Sequence, residues 1–169
     1  MKKGSVAVEN HSMFDPFEIL GLEKQFPLDL KVLEKSYFEA QKRTHPDRFI
    51  GASSEIRNQV LQQSSEVNQA YLTLKSPLSR AAYLLKSAGI EPLSHDPYFL
   101  EKVMRWNEHM DKREDLKEEL TREEEQLLKG LENGFEVHDY ETVRGALYRL
   151  TYIQKIIKKC GDDGISSTS

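Results

Sequence analysis

The sequence predicts an all-α protein in two helical parts. Apolar residues recur three and four apart through most of the chain. The 6 prolines fall between these periodic stretches or at their edges. No alternating run flanks a two-residue turn, so nothing signals a β-hairpin.

Residues 1–12 form a polar lead without a clear period and are expected to be loose. Asp15-Pro16 suits the cap and first turn of a short helix through Phe17, Ile19 and Leu20, with Gly21 ending it. Residues 23–27 read as a loop. Asp29 suits the cap of a second helix ending near Thr44. At about 100° per residue, Leu30, Leu33, Tyr37, Ala40 and Thr44 share one face. Lys31, Lys35 and Lys42 fall opposite. Phe38 lies near those lysines, either as an exposed aromatic or as a contact with the other half of the chain.

Pro46 biases His45 away from helical angles and marks the break. Ser53 or Ser54 can cap a third helix, whose apolar face is Ile56, Val60, Val67, Ala70, Tyr71 and Leu74. Glu55 and Glu66 favour solvent, and Leu61 has no clear place. Each of the two long helices has one apolar stripe to bury, so they should pair as an antiparallel hairpin.

Ser76-Pro77 interrupts the pattern, and residues 79–88 resume it with Ala82, Tyr83 and Leu85. Gly89, Pro92, Ser94 and Pro97 mark the next connection. The change of domain falls between 76 and 96, with the extra helix as a rigid junction. Beyond it, one helical stretch spans about 97–133, bent or broken near 111–115. Another spans about 139–160, with Gly134 and its neighbours making the turn. Leu147, Leu150, Ile153 and Ile157 give the last helix an apolar stripe. Three packed helices are the simplest solution. A coiled-coil dimer is the alternative, although the apolar spacing keeps no strict heptad. Gly161 onward should fray.

Composition narrows the function. The 169 residues suit one domain or two small ones, and 38% hydrophobic with 31% charged residues is ordinary for a soluble protein. The net charge of −4 argues against general nucleic-acid affinity but leaves room for a local basic patch. No segment approaches the roughly 18 apolar residues of a membrane span. The basic start, Met1-Lys2-Lys3, is followed by no hydrophobic signal core. Cys160 is the single cysteine, so no internal disulfide forms. By itself it cannot hold a metal or an iron–sulfur cluster. A reducing, intracellular setting is expected.

The most informative feature is His45-Pro46-Asp47 between two amphipathic helices, the first bearing the lysines. It suggests a loop displayed for a partner. Pro46 fixes one torsion and holds a sharp exit. Asp47 can accept hydrogen bonds from a basic partner or cap local amides. His45 can donate, accept or carry charge. The lysine face can steer an acidic surface. A simple structural turn, with lysines that only aid solubility, explains the tripeptide equally well when it is taken alone.

The surrounding residues shift that balance. Residues 14–76 resemble a J domain, the module that engages DnaK-class chaperones. The likeness rests on Asp15-Pro16-Phe17, Tyr37, His45-Pro46-Asp47 and Asn68-Gln69-Ala70-Tyr71. It implies that His45, Pro46 and Asp47 stimulate ATP hydrolysis by a partner chaperone, without hydrolysing ATP themselves. It also implies that Lys35, Lys42 and Arg43 dock against that partner. Residues 76–85, Asp96-Pro97-Tyr98-Phe99-Leu100 and Leu150-Thr151-Tyr152-Ile153-Gln154-Lys155 extend the likeness. Over about 13–160 the chain resembles the HscB-type iron–sulfur co-chaperones. The implied organisation is a lead (1–12), a J domain (13–76), a helical junction (77–95), a C-terminal helical domain (96–160) and a tail (161–169).

In that family the C-terminal half binds the scaffold protein on which the cluster is assembled. The resemblance assigns this surface to Leu100, Met104, Glu108 and Tyr152. Leu100, Met104 and Glu108 are four apart and can share a helical face. Leu100, Met104 and Tyr152 are equally compatible with core packing, whereas burial of an unpaired Glu108 is costly. Glu101 stands where the family is often apolar, and Arg105 and Lys112 where acidic residues are familiar. A contact that is weakened, shifted or compensated on the scaffold would follow. Human-like members carry a four-cysteine module. With no cysteine before Cys160, the resemblance points to the bacterial-style architecture, a cytoplasmic setting, and no metal or other cofactor.

Other candidates fail on chemistry. His45 and Asp47 have no nucleophile or second catalytic group in view. His11, His95, His109 and His138 are scattered, and Glu123-Glu124-Glu125 reads as solvated surface. Phe38 and Cys160 receive no role. Two alternatives remain: a J-domain co-chaperone with another client, and a structural helical interaction protein without chaperone activity.

Overall fold

The computed structural model describes residues 14–108 and 113–162. The lead, the tail beyond Asp162, His11, His109 and Lys112 lie outside the described residues. Among those described there are seven α-helices and one 3₁₀ turn, and none of the helices is long and apolar enough to cross a membrane. They form two compact units. Of the described residues, one holds those up to Lys24 with Leu30–Leu74, and the other holds Gln25–Asp29 with those from Lys75 onward.

The first unit begins with α1 (Pro16–Leu20). The Asp15 carboxylate accepts from the Phe17 amide at 3.0 Å and the Glu18 amide at 3.3 Å. Gly21 ends the helix in the left-handed region, at φ 65°. That geometry favours a residue without Cβ. Pro16, Phe17 and Leu20 are buried, and α1 packs on α2 (Leu30–Arg43). On α2, Leu33 and Ala40 are buried and Tyr37 is half-buried. Leu30, expected on the same face, is 49% exposed, because it stands in the first turn.

A bridge ties α2 to α3 (Ser54–Lys75). The Tyr37 hydroxyl donates to Asn68 Oδ1 at 2.9 Å, and the amide of Gln41 donates to that hydroxyl. The rings of Tyr37 and Tyr71 stack at 4.1 Å. Ser53 caps α3 through the Ile56 amide at 3.4 Å. Val60, Val67, Ala70 and Leu74 are buried, whereas Ile56 and Leu61 are exposed. The apolar row therefore begins a turn later than its periodicity suggests.

The second unit is organised on the antiparallel pair α6 (Arg113–Glu136) and α7 (Tyr140–Asp162). Each end of the pair has a different third helix. At one end α4 (Pro77–Ser87) packs on α7, and Ala81 and Leu85 join Leu131, Val143, Ala146 and Leu150 in one core. Phe26 belongs to this core, stacked on Phe135 at 4.9 Å with the Arg80 guanidinium 5.0 Å above its ring. Burial lowers the pKa of Arg80, and Glu132 opposes that shift. Ala82, expected in the apolar row, is exposed, because the helix presents Ala81 and Leu85 instead.

At the other end α5 (Pro97–Glu108) supplies Phe99, Val103 and Trp106 to a core with Leu116, Leu120, Ile153 and Ile156. The stretch expected to bend or break near 111–115 is two helices, α5 and α6, which run antiparallel. Lys102 Nζ meets Glu123 at 2.8 Å and Trp106 Nε1 donates to Glu119 at 2.9 Å, so later residues of α5 meet earlier residues of α6. Together α5, α6 and α7 make the expected three-helix bundle.

Gly134 does not make the α6–α7 turn. It lies inside α6, where an added Cβ would fall 2.7 Å from Val143 Cγ2, so it permits close approach of the two helices. The left-handed residue is His138, at φ 57°, and the Asp139 amide returns to the Gly134 carbonyl at 2.8 Å. Asp139 then caps α7 through the Thr142 amide at 3.2 Å. The helix continues through Gly161 to Asp162.

Candidate functional site: a displayed turn and a helix face

The first candidate surface starts where α2 stops. Thr44 Oγ1 donates back to the Ala40 carbonyl at 3.2 Å. His45 then takes extended angles, φ −69° and ψ 124°, as a residue before proline should. Pro46–Phe49 makes a 3₁₀ turn absent from the sequence expectation. Arg48 was missed too: its Nη1 donates to the Lys42 carbonyl at 2.9 Å and its amide to the His45 carbonyl at 3.1 Å. It ties the turn to the end of α2 and satisfies a carbonyl that the helix leaves without an internal partner. Nothing local in the sequence marks an arginine for that role.

His45 Nδ1 accepts from the Asp47 amide at 3.3 Å. An imidazole that accepts at Nδ1 carries its proton on Nε2, so the ring offers one outward donor. The Asp47 carboxylate lies 3.6 Å from Nδ1 and is 79% exposed at its side chain; His45 is 57% exposed. The turn therefore presents a donor and an anion side by side, braced by the backbone. Lys35, Lys42 and Arg43 are all exposed on α2. The six residues assigned to the chaperone contact thus come from α2 and the adjoining turn.

The second candidate surface is on α5. Asp96 sets it: Oδ1 accepts from the Phe99 amide at 3.1 Å, and Oδ2 receives Arg149 Nε at 2.9 Å and Nη2 at 2.8 Å. This fixes the start of α5 against α7. Burial alone would raise the Asp96 pKa, but the Phe99 amide and Arg149 outweigh it and hold the carboxyl below its ordinary value. Met104 is 64% exposed, Glu108 is exposed and Leu100 is half-buried. Met104 is therefore not a core residue. Tyr152 is half-buried, 6.1 Å from Phe99 edge-on and 5.0 Å from Tyr148. With Tyr148, Leu78 and Lys155 it lines a groove of about 470 Å³ beside α4. Glu101 and Arg105 are exposed on α5. No three His, Cys, Asp or Glu side chains converge on a metal-sized site among the described residues.

Known proteins place this architecture. Residues 95–161 match the family model described as the HSCB C-terminal oligomerisation domain. A co-chaperone protein HscB homolog of Neisseria meningitidis is 34% identical over 154 residues, covering 83% of this chain and 93% of that protein. The chain belongs to the HscB family of co-chaperones. The chaperone HscB of Vibrio cholerae superposes with TM-score 0.82 at 31% identity, covering 89% of this chain and 97% of its own. The human co-chaperone HscB superposes with TM-score 0.84 at 28% identity, covering 89% and 82%. The all-α fold, an N-terminal helical hairpin followed by a C-terminal bundle, is that of HscB. Membership in this family makes the chain a co-chaperone and not an enzyme in its own right.

Proposed function

We propose that this HscB-family chain brings an iron–sulfur scaffold protein to a DnaK/HscA-class chaperone and stimulates that chaperone's ATP hydrolysis, promoting cluster transfer. Residues 13–76 act as the J domain, 77–95 as the junction and 96–160 as the scaffold-binding domain. His45, Pro46 and Asp47, with Lys35, Lys42 and Arg43, engage the chaperone. Leu100, Met104, Glu108 and Tyr152 engage the scaffold, and the cluster is cargo. The bacterial cytoplasm, home of a machinery of this kind, is the proposed setting.

The observation that carries this reading is the solvent-facing His45–Asp47 turn, with Nδ1 engaged and the Asp47 carboxylate open. The row of cations before it suits an acidic partner. Holding both partners on one chain raises the concentration of each near the other. Purified protein added to the HscA-type chaperone should accelerate ATP turnover, more so with scaffold present. His45→Gln and Asp47→Asn should each remove nearly all stimulation while thermal stability stays within about 0.5 kcal/mol, as expected for exposed positions. Full stimulation by both folded variants would reject the assignment. A normal turnover response without scaffold binding would point to another client.

A further inference from the structure

The bridge between α2 and α3 has a consequence for the residue next to it. Tyr37 is turned inward by its stack on Tyr71 and its bond to Asn68. The next residue lies about 100° further round the helix, and Phe38 is accordingly 57% exposed. Its neighbours along that side are Lys31, Lys35 and Lys42, at steps of four, three and four residues, all exposed. These four side chains form one row along α2, ending at the His45–Asp47 turn. Glu34 and Glu39 flank the row and are also exposed.

We propose that Phe38 is an apolar anchor of the chaperone contact, set within the cations that steer it, and that its occupant is an acidic chaperone surface containing a pocket for one aromatic ring. The proposal rests on the chaperone reading above. Charge complementarity selects the occupant: three lysines in line with the ring favour a negative rim, and the row is continuous with the turn that the same partner would meet. Exposed single aromatics are common on protein surfaces. Phe38 differs in being held outward by a network on its neighbour. Aromatic anchors ringed by polar groups are where interface energy concentrates. Lysine stems can lie along such a ring while their charges stay in water.

The test is ATP turnover by the HscA-type chaperone against concentration of the full-length chain, at low and high salt. Phe38→Ala should raise the half-maximal concentration about tenfold, the effect of a modest anchor. Its maximal rate and salt dependence should match the parent, and Phe38→Tyr should restore most of the affinity. Lys35→Ala with Lys42→Ala should instead flatten the salt dependence. An unchanged half-maximal concentration for Phe38→Ala, beside a dead His45→Gln, would overturn the anchor and leave the chaperone reading standing. Full activity of His45→Gln would remove both. A dimer that Phe38→Ala dissolves in sedimentation would assign the ring to a second copy and overturn the proposal. If the alanine variant unfolds, Phe38→Trp gives a second readout: its emission should shift to the blue when chaperone is added, and no shift would overturn the anchor.

Discussion

The turn after α2 and the outer face of α5 are both exposed, but they are built differently. The turn is held by main-chain geometry and by Arg48, while His45 and Asp47 project from it with more than half of each side chain exposed. On α5 the exposed Met104 and Glu108 share a helix with the core residues Phe99, Val103 and Trp106, and Tyr152 both lines a groove and touches Phe99. Recognition and stability are therefore separable at the turn and entangled on the bundle. Loss of function at the turn reports on the partner directly, whereas loss of function on the bundle needs a stability measurement beside it.

The sharpest probe of that difference is the pair Tyr152→Ala and Met104→Ala. Truncating half-buried Tyr152 should cost about 2–3 kcal/mol by thermal or denaturant unfolding and weaken scaffold binding as well. Truncating Met104, which is 64% exposed, should weaken scaffold binding about tenfold with stability nearly unchanged. Equal stability losses in the two would erase the distinction. Gly134→Ala should destabilise the α6–α7 pair by about 1–3 kcal/mol, because its Cβ would overlap Val143. Chaperone stimulation well below the melting temperature should not change.

A smaller effect comes from Asp96. Its lowered carboxyl pKa stabilises the folded chain at pH values above the ordinary aspartate value. That contribution falls away as the pH drops below about 4 toward the lowered value. Asp96→Asn keeps a capping oxygen but removes the charge that Arg149 pairs with, so it should cost about 1 kcal/mol or less at neutral pH and make the acid unfolding profile shallower. An unchanged acid profile would remove the Asp96–Arg149 pair as a determinant of α5.

Features governed by neighbouring residues were legible in the sequence. Asp15-Pro16 and Gly21 bound α1, Pro46 sets His45 extended, and Ser53 caps α3. Features governed by distant partners were not. The break between α5 and α6 was expected, but the register in which they pair, Trp106 with Glu119 and Lys102 with Glu123, is announced by no local pattern. Gly134 looked like a turn residue because glycine serves both turns and close helix contacts, and only Val143 distinguishes them. Of the candidate site, the His45–Asp47 loop and its cations could be picked out directly. The brace from Arg48 could not, and periodicity alone could not separate exposed Met104 from half-buried Leu100 and Tyr152.

Phe26 sits in the chain between α1 and α2, yet its ring fills the core formed by Ala81, Leu131 and Val143. The boundary after Leu74 is therefore not a place where the polypeptide can be cut into two whole bodies. A fragment ending there would carry a greasy ring with nowhere to go, and the remainder would be left with a hole beside Phe135 and Arg80.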